Sequence, residues 1–273
     1  MGQPQPVGAP PFTVEEAVAL AIRQNPHLSA AAREVVAARA GVRAARALAN
    51  PALIFAPAIT SAGGSDEELL FQQPLELNGT RAARTGVARA NLRVAQAQAI
   101  VELRNLVAAT KTAYYELARA QEQRSLAVDL LQIAAEIDRI TRRQVELGSR
   151  AGIEQTQTAI EVARARQQVV LAESQVASAR AALNLLLGQT GPDAVGMGLL
   201  SPLTFTSEPV DEEAAIRQAL AARAEIAGEE ASRDAFRHGA RLARAEGRPD
   251  LAPQLRAESV TRGLNNAGLG IAV

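Results

Sequence analysis

Apolar positions along this chain recur with two different periods. Leu53, Phe55, Pro57 and Ile59 fall on every second residue, the spacing of one face of a β-strand. Gly63-Gly64-Ser65-Asp66 then reads as a turn. Beyond it, Leu69, Phe71, Gln73, Leu75 and Leu77 share one side of a second strand, and Leu70, Gln72, Pro74 and Glu76 the other. The pair predicts a β-hairpin over 52–77, ended by Asn78-Gly79. From Thr80 the period lengthens. Leu92, Ala95, Ala99, Leu103, Leu106, Thr110, Ala113 and Leu117 recur at steps of three and four, the helix signature. Leu126, Leu130, Ile133, Ile137 and Ile140 continue as one stripe, with Ala127, Leu131 and Ala134 beside it. No Pro interrupts 80–147, and Gly86 is the only glycine inside it. A helix of about 68 residues would be about 100 Å long at about 1.5 Å per residue. Gly148-Ser149-Arg150-Ala151-Gly152 punctuates the run. A second helix follows over about 153–187, with Ile160, Ala163, Val170, Val176, Ala179, Leu183 and Leu186 expected inward. Gly188 and Gly191-Pro192 stop it. The whole of 80–187 predicts a long antiparallel helical hairpin.

The same vocabulary opens and closes the chain. Residues 1–11 are an extended, Pro-rich lead-in. Thr13 and Glu16 have the spacing of a capping box, starting a helix over 13–24. Asn25-Pro26 breaks it, and a further helix is expected over 28–49, closed by Asn50-Pro51. After a Gly/Pro-rich connector, with a linker over 199–209, the beginning recurs 198 residues on. Arg39, Gly41, Arg43, Ala45, Arg46 and Ala47 face Arg237, Gly239, Arg241, Ala243, Arg244 and Ala245, and Pro51 and Leu53 face Pro249 and Leu251. Shared Ala-richness does not explain Arg, Gly and Pro falling in step. The organisation expected is a first repeat over 12–198 and an incomplete second over 210–273. The second has helices at 211–222 and 225–246, a β-hairpin at 250–273 and no long helical hairpin. The chain also stops inside an alternating pattern, Gly268 to Val273, and opens without a basic and then apolar leader. Both features are expected of a truncated chain.

Composition narrows the function classes. Hydrophobic residues are 48% and aromatics 3%, so Ala, Leu, Val and Ile must fill the core, which suits close-packed helices. Lys plus Arg and Asp plus Glu number 29 each, which gives no excess of cations for nucleic-acid phosphates. Cys is absent, so disulfides and thiolate chemistry are excluded. His27 and His238 are the only imidazoles, and a lone His rarely makes a metal site. No cofactor is called for. No run of 18 apolar residues reads as a transmembrane helix.

Phe12-Thr13-Val14-Glu15-Glu16-Ala17 with Asn25-Pro26-His27-Leu28 resembles the opening of the TolC-like outer-membrane efflux family. Leu70-Phe71-Gln72-Gln73-Pro74-Leu75-Glu76-Leu77-Asn78-Gly79-Thr80-Arg81 is similar to the strand-to-helix passage of its cobalt–zinc–cadmium efflux branch. Arg143 to Glu154 resembles the hairpin turn, and Ala181 to Gly188 the end of the returning helix. The resemblance runs from about Phe12 to Val273, and the order of these short motifs carries it. It implies a mainly α protein with a small β part. The long hairpin would be α-barrel wall, and the two β-hairpins would serve a trimeric outer-membrane β-barrel. It further implies a homotrimer in contact with outer-membrane lipid and a periplasmic adaptor (membrane fusion) protein. The third partner would be an inner-membrane pump of the RND type. The location would be the outer membrane and periplasm of a Gram-negative bacterium. Alternating strands fit a wall with lipid on one side and water on the other. Closure of such a sheet satisfies edges that lipid cannot.

Site residues follow from the same resemblance. Leu147, Gly148, Ser149, Arg150, Ala151 and Gly152 would be the periplasmic tip that meets the adaptor, with Gly148 and Glu154 at matching positions. Ala151 departs from the Ser or Thr usual there. The plainer reading is a helix connection, since glycine is expected at any helix end. Arg142 and Arg143 would belong to a gating or lumen network, against which stands an ordinary solvated face with local pairing, Glu136 included. Arg39, Arg43, Arg46 and their copies read as a lumen lining, an inter-protomer surface or a solvated face. Tyr114 and Tyr115 are expected to pack against a neighbouring helix, and Asp66, Glu67 and Glu68 to form a solvated loop. Gly188-Gln189-Thr190-Gly191 follows a helix, the wrong side for cradling phosphate. With no catalytic constellation, no enzyme is expected. The leading function is a passive exit duct of a tripartite pump for metal cations or small toxic compounds. The competing one is a soluble coiled-coil scaffold or a non-functional fragment of a duct. The scaffold accounts for 80–187 but not for the duplicated strands.

Overall fold

Thr13 starts the first helix as its spacing requires. Its hydroxyl accepts the Glu16 N–H at 3.2 Å, and the Glu16 carboxylate accepts the Thr13 N–H at 2.9 Å. The computed structural model describes residues 12–59, 65–189, 211–260 and 264–272. The lead-in 1–11, the turn at Gly63-Gly64, the helix stop at Gly191-Pro192 and the linker 199–209 lie outside them. In chain order the elements are α1 (Val14–Gln24), α2 (Pro26–Arg46), β1 (Ala52–Ile59), β2 (Ser65–Gln72), α3 (Thr80–Glu146) and α4 (Gly152–Leu186). After them come α5 (Glu212–Ala222), α6 (Ala224–Glu246), β3 (Ala252–Val260) and β4 (Leu264–Ala272). The fold is mainly helical with one small antiparallel sheet. The run helix, helix, hairpin occurs twice, and α5 begins 198 residues after α1 (212 against 14).

The chain packs as two units, which cut across this serial order. The first comprises Met1–Ala30 and Glu102–Glu212. Its core is built from Ala17 and Ala21 of α1, Tyr114, Leu117, Ala118 and Ala120 of α3, and Val176, Leu183 and Leu187 at the end of α4. Tyr114 is buried, and its hydroxyl donates to the Phe12 carbonyl at 2.6 Å, so a ring mid-helix is held by the chain's entry segment. Tyr115 is left half-exposed. Asn25, also buried, donates from Nδ2 to the Leu186 carbonyl and accepts the His27 N–H at Oδ1. Thus the break between α1 and α2 closes the end of α4.

Two glycines end the long helices in the same way. Gly148 and Gly188 both have φ near +71°. At the first, the Gly148 N–H donates to Val145 O and the Ser149 N–H to Gln144 O. At the second, Gly188 donates to Leu185 O and Gln189 to Asn184 O. Each pair is a Schellman cap, which a residue with a Cβ enters only under strain.

The second unit comprises Ala31–Val101 and Glu213–Val273. Its sheet has the order β1-β2-β3-β4, with every neighbour antiparallel. Arg84, in the second turn of α3, anchors the helix beneath the sheet. It pairs with Glu76 at 2.5 Å and donates to the Ala45 and Ala47 carbonyls at the end of α2. Small residues let α6 approach α3, and a Cβ on Gly228 would stand 3.3 Å from Ala97. Across the same seam Arg93 pairs with Asp234 at 3.1 Å.

Several expected details differ. The α2 helix begins at Pro26 and stops at Arg46, short of Ala49. The β2 strand ends at Gln72 rather than Leu77, because Pro74 has no N–H to give and Glu76 turns to Arg84. Gln73 and Leu75 nevertheless donate to Pro253 O and Leu251 O. In α4, Val176 and Leu183 are buried as expected, but Ile160, Ala163 and Val170 are exposed and Val162 and Ala172 lie inside. The reason is angular. A step of six residues, from Val170 to Val176, turns about 600°, so the two cannot share a face at about 100° per residue. In α3 the buried line near the turn is Ala127, Asp138 and Thr141, while Leu126, Leu130, Ile133, Ile137 and Ile140 stay about half-exposed. Near the turn, α3 closes on these smaller residues and leaves its large ones about half-exposed.

Candidate functional site

The sheet carries its apolar groups on one face. Opposed residues of an antiparallel pair point to the same side. Leu53 faces Phe71, Phe71 faces Leu255, and Leu255 faces Leu269, so one row crosses all four strands. Phe55 and Leu69 sit beside it, and Ile271 pairs with Pro253 on the same side. All of these large side chains are exposed, Leu53 by 68% and Leu269 by 86%. The other face carries Gln72 opposite Gln254, and Glu68 opposite Glu258. Glu68 also pairs with Arg256 at 2.7 Å. Ile54 and Leu70 interrupt that polar face in one row, Val260 pairs with Leu264 in another, and β1 contributes Ala52, Ala56 and Ala58 to it. An apolar face of this extent marks a surface that meets lipid or a partner rather than water. Among the described residues no helix is long and apolar enough to cross a membrane.

The second candidate is the turn between α3 and α4. Leu147 donates its N–H to Arg143 O at 3.2 Å, and Leu147 is exposed. Ser149 donates its hydroxyl to Gln144 O at 2.8 Å, so that side chain is spent on the cap. Arg150 reaches Glu154 at 2.9 Å. Ala151 is the N-cap of α4 and offers no side-chain bond, leaving Gly152 at the helix start bare. Arg142 pairs with Asp138 at 2.6 Å and Arg143 with Glu146 at 3.2 Å. Glu136 pairs with Arg139 rather than with a residue four positions on. Both arginines therefore sit in pairs within their own helix. Above the turn, Ile137 and Ile160 flank an open groove of about 600 Å³, edged by Arg150, Glu154 and Arg164.

One polar group here was not legible as a site residue. Asp138 is buried in the seam, within 2.7 Å of the Thr158 hydroxyl and 2.6 Å of Arg142. The only signal was its place in the small-residue series, four after Ala134. The Thr158 hydrogen bond holds its carboxyl below the usual value near 3.8, helped by Arg142 and opposed by burial. A folded-state pKa that is lowered stabilises above the unfolded value and is lost as the pH falls through the folded one. Acidification below about pH 4 is therefore expected to loosen the hairpin near its turn. Hydrogen-exchange protection factors over 134–160, corrected for the intrinsic rate at each pH, should fall on acidification, and Asp138→Asn should remove that pH dependence. An unchanged acid response in Asp138→Asn would assign it to other groups.

The remaining candidates are local. Arg39, Arg43 and Arg46 are exposed on α2. Arg237 pairs with Asp234 at 3.7 Å. His27 is exposed at the start of α2, and His238 lies half-buried against α3. Asp66, Glu67 and Glu68 belong to β2 rather than to a loop, because they pair with Ala58, Pro57 and Ala56 of β1, and the side chains of Asp66 and Glu67 lie outside the described residues. Among the described residues no cluster of His, Cys, Asp and Glu suits a metal ion.

Comparison with known proteins follows this geometry. Residues 17–189 match the model of the outer membrane efflux protein family. The cobalt-zinc-cadmium resistance protein CzcC of Cupriavidus metallidurans is 30% identical over 267 residues, 97% of this chain and 63% of that protein. The nickel-cobalt-cadmium resistance protein NccC of Alcaligenes xylosoxydans xylosoxydans is 31% identical over 236 residues, 81% of this chain and 53% of that protein. The chain thus spans between half and two-thirds of the curated relatives it matches. Among solved structures, that of the CusC transmembrane channel aligns with a TM-score of 0.72 at 19% identity, over 95% of this chain and 65% of that one. The Vibrio cholerae outer membrane protein VceC aligns at 0.76 and 19%, over 95% and 67%. These likenesses concern the fold.

Proposed function

Because this chain belongs to the outer membrane efflux protein family, we propose that it forms part of the wall of an outer-membrane exit duct in a tripartite, RND-type efflux pump. The observation that carries the reading is the exposed row Leu53–Phe71–Leu255–Leu269 across a sheet whose other face is largely polar. Lipid on one side and water on the other is the environment that such a sheet requires. Its edge strands, β1 and β4, need partners when the sheet is in lipid. Two further copies of the chain would supply them and close a homotrimeric barrel. The likeness to CzcC and NccC supports the heavy-metal branch and export of metal cations. Transport through such a duct is passive, so no catalytic residue is needed. The location is the outer membrane and periplasm of a Gram-negative bacterium. Residues 12–198 are one repeat, and 210–273 belong to a second.

At the turn between α3 and α4, Leu147 to Gly152 would meet the hairpin of a periplasmic adaptor protein. Leu147, exposed at the turn, supplies the apolar contact, and Gly148 permits a close backbone approach. Arg142 and Arg143 would exchange their present partners, Asp138 and Glu146, when the duct opens. The scaffold alternative leaves the apolar sheet face unexplained.

The absence of Cys makes the test clean, because Ser149→Cys introduces the only thiol. In cells that also produce a periplasmic adaptor and an RND-type pump, a thiol-reactive photocrosslinker at that position should capture the adaptor. Deleting the gene should increase sensitivity to cobalt, zinc or cadmium. Normal tolerance together with crosslinking to no adaptor would sink the proposal.

A further inference from the structure

A second groove, of about 430 Å³, lies where the start of α3 meets the end of α6. Asn78 and Gly79 edge it from one side, and His238, Arg241, Arg244 and Arg248 from the other. Among the described residues no Asp or Glu lines it. Elsewhere in this unit Arg84, Arg93, Arg237 and Arg256 each face a carboxylate. Among the described residues Arg241, Arg244 and Arg248 face none, as do Arg39, Arg43 and Arg46 of α2, but the former three share one groove with His238. The α3 helix begins here, and its positive dipole end adds to the same field. Asn78 caps that end by accepting the Thr80 N–H at 3.0 Å.

The groove is built rather than accidental. A Cβ on Gly86 would run into the His238 ring, so glycine is what allows α6 to seat His238 against α3. The two sides are tied where β3 begins. Asn78 donates to the Arg248 carbonyl at 3.4 Å, and the Leu77 N–H donates to Asp250 at 3.2 Å. Repulsion among three unpaired guanidinium groups is relieved by an anion. Their planar forks fit the oxygens of a phosphate in pairs.

We propose that this groove binds a phosphate group, either the headgroup phosphate of a membrane lipid or free inorganic phosphate. The lipid source rests on the membrane reading of the sheet, and the phosphate chemistry does not. The test is calorimetric titration of the chain in phosphate-free maltoside detergent. The probes are inorganic phosphate, dihexanoylphosphatidylglycerol, and dihexanoylglycerol, which lacks the phosphate. Saturable binding is expected for at least one of the first two. Arg244→Gln with Arg248→Gln should weaken it tenfold or more. Arg39→Gln with Arg43→Gln, the same charge change elsewhere, should alter it less than twofold. Binding of the phospholipid alone identifies a headgroup site, and comparable binding of inorganic phosphate identifies a free-phosphate site. The single variant Arg241→Gln, checked for retained helical circular dichroism, provides a second readout if the double variant misfolds. Absence of saturable binding by the unaltered chain would overturn the proposal. So would equal loss in the two double variants, or equal binding of dihexanoylglycerol.

Discussion

Leu255→Arg is expected to expel the sheet from the membrane. Leu255 is central in the row that runs Leu53, Phe71, Leu255, Leu269, and it is more than half exposed. An arginine on the lipid face of a membrane strand costs about 2–4 kcal/mol near the bilayer midplane. That penalty falls on every copy of the chain. Gln254→Arg, one residue away, lies opposite Gln72 and Gly270 on the other face, where water solvates the charge. With the protein exported to the periplasm of a Gram-negative host, the fraction resisting a urea wash of the membranes should collapse for Leu255→Arg. It should hold for Gln254→Arg. Equal behaviour of the two variants would show that the sheet does not separate lipid from water.

Gly188→Val should unfold the end of the long hairpin, whereas Gly148→Ala should be mild. Both glycines close Schellman caps with the same positive φ. A non-glycine residue in that region is strained by about 1–2 kcal/mol. At Gly148 nothing stands within 4 Å of an added Cβ, so the backbone term is the whole effect. At Gly188 the Cβ would lie 2.5 Å from the Gln24 carbonyl oxygen, a backbone atom that cannot swing away. Overpacking adds about 1–3 kcal/mol, for a total of roughly 2–5 kcal/mol. The clash would also part Asn25 from Leu186, whose hydrogen bond spans 2.9 Å. Thermal unfolding followed by circular dichroism would rank the two. A Gly148→Ala protein melting as low as Gly188→Val would refute the carbonyl contact as the cause.

Much of this was readable from the chain by itself, and the reason is locality. Period-2 and period-3.6 spacing follow from backbone geometry within a few residues, so the strands from Leu53 and Leu69 and the 67-residue α3 declare themselves. Capping chemistry is equally local, as Thr13 with Glu16, Gly148 and Gly188 show. Boundaries failed where a distant partner decided them. Pro74 and Glu76 look like strand until Arg84 draws Glu76 away.

What only the tertiary structure decided was which surface meets which. An apolar stripe states that a helix face will be buried, but not by what. Leu126 to Ile140 is a clear stripe in the sequence, yet near its turn the hairpin closes on Ala127, Asp138 and Thr141, where smaller side chains permit close axes. Asp138 finds Thr158 only because that seam exists, 20 residues apart in sequence. The joining of β2 to β3 connects hairpins some 180 residues apart, and it is this pairing that assembles separate alternations into one continuous apolar face. The arginines at and just beyond the end of α6 likewise became a groove only when Gly86 admitted His238. Local spacing determined the elements, their order and the polarity of each face. Long-range pairing, which no short window of sequence contains, determined the seam, the sheet and the sites they form.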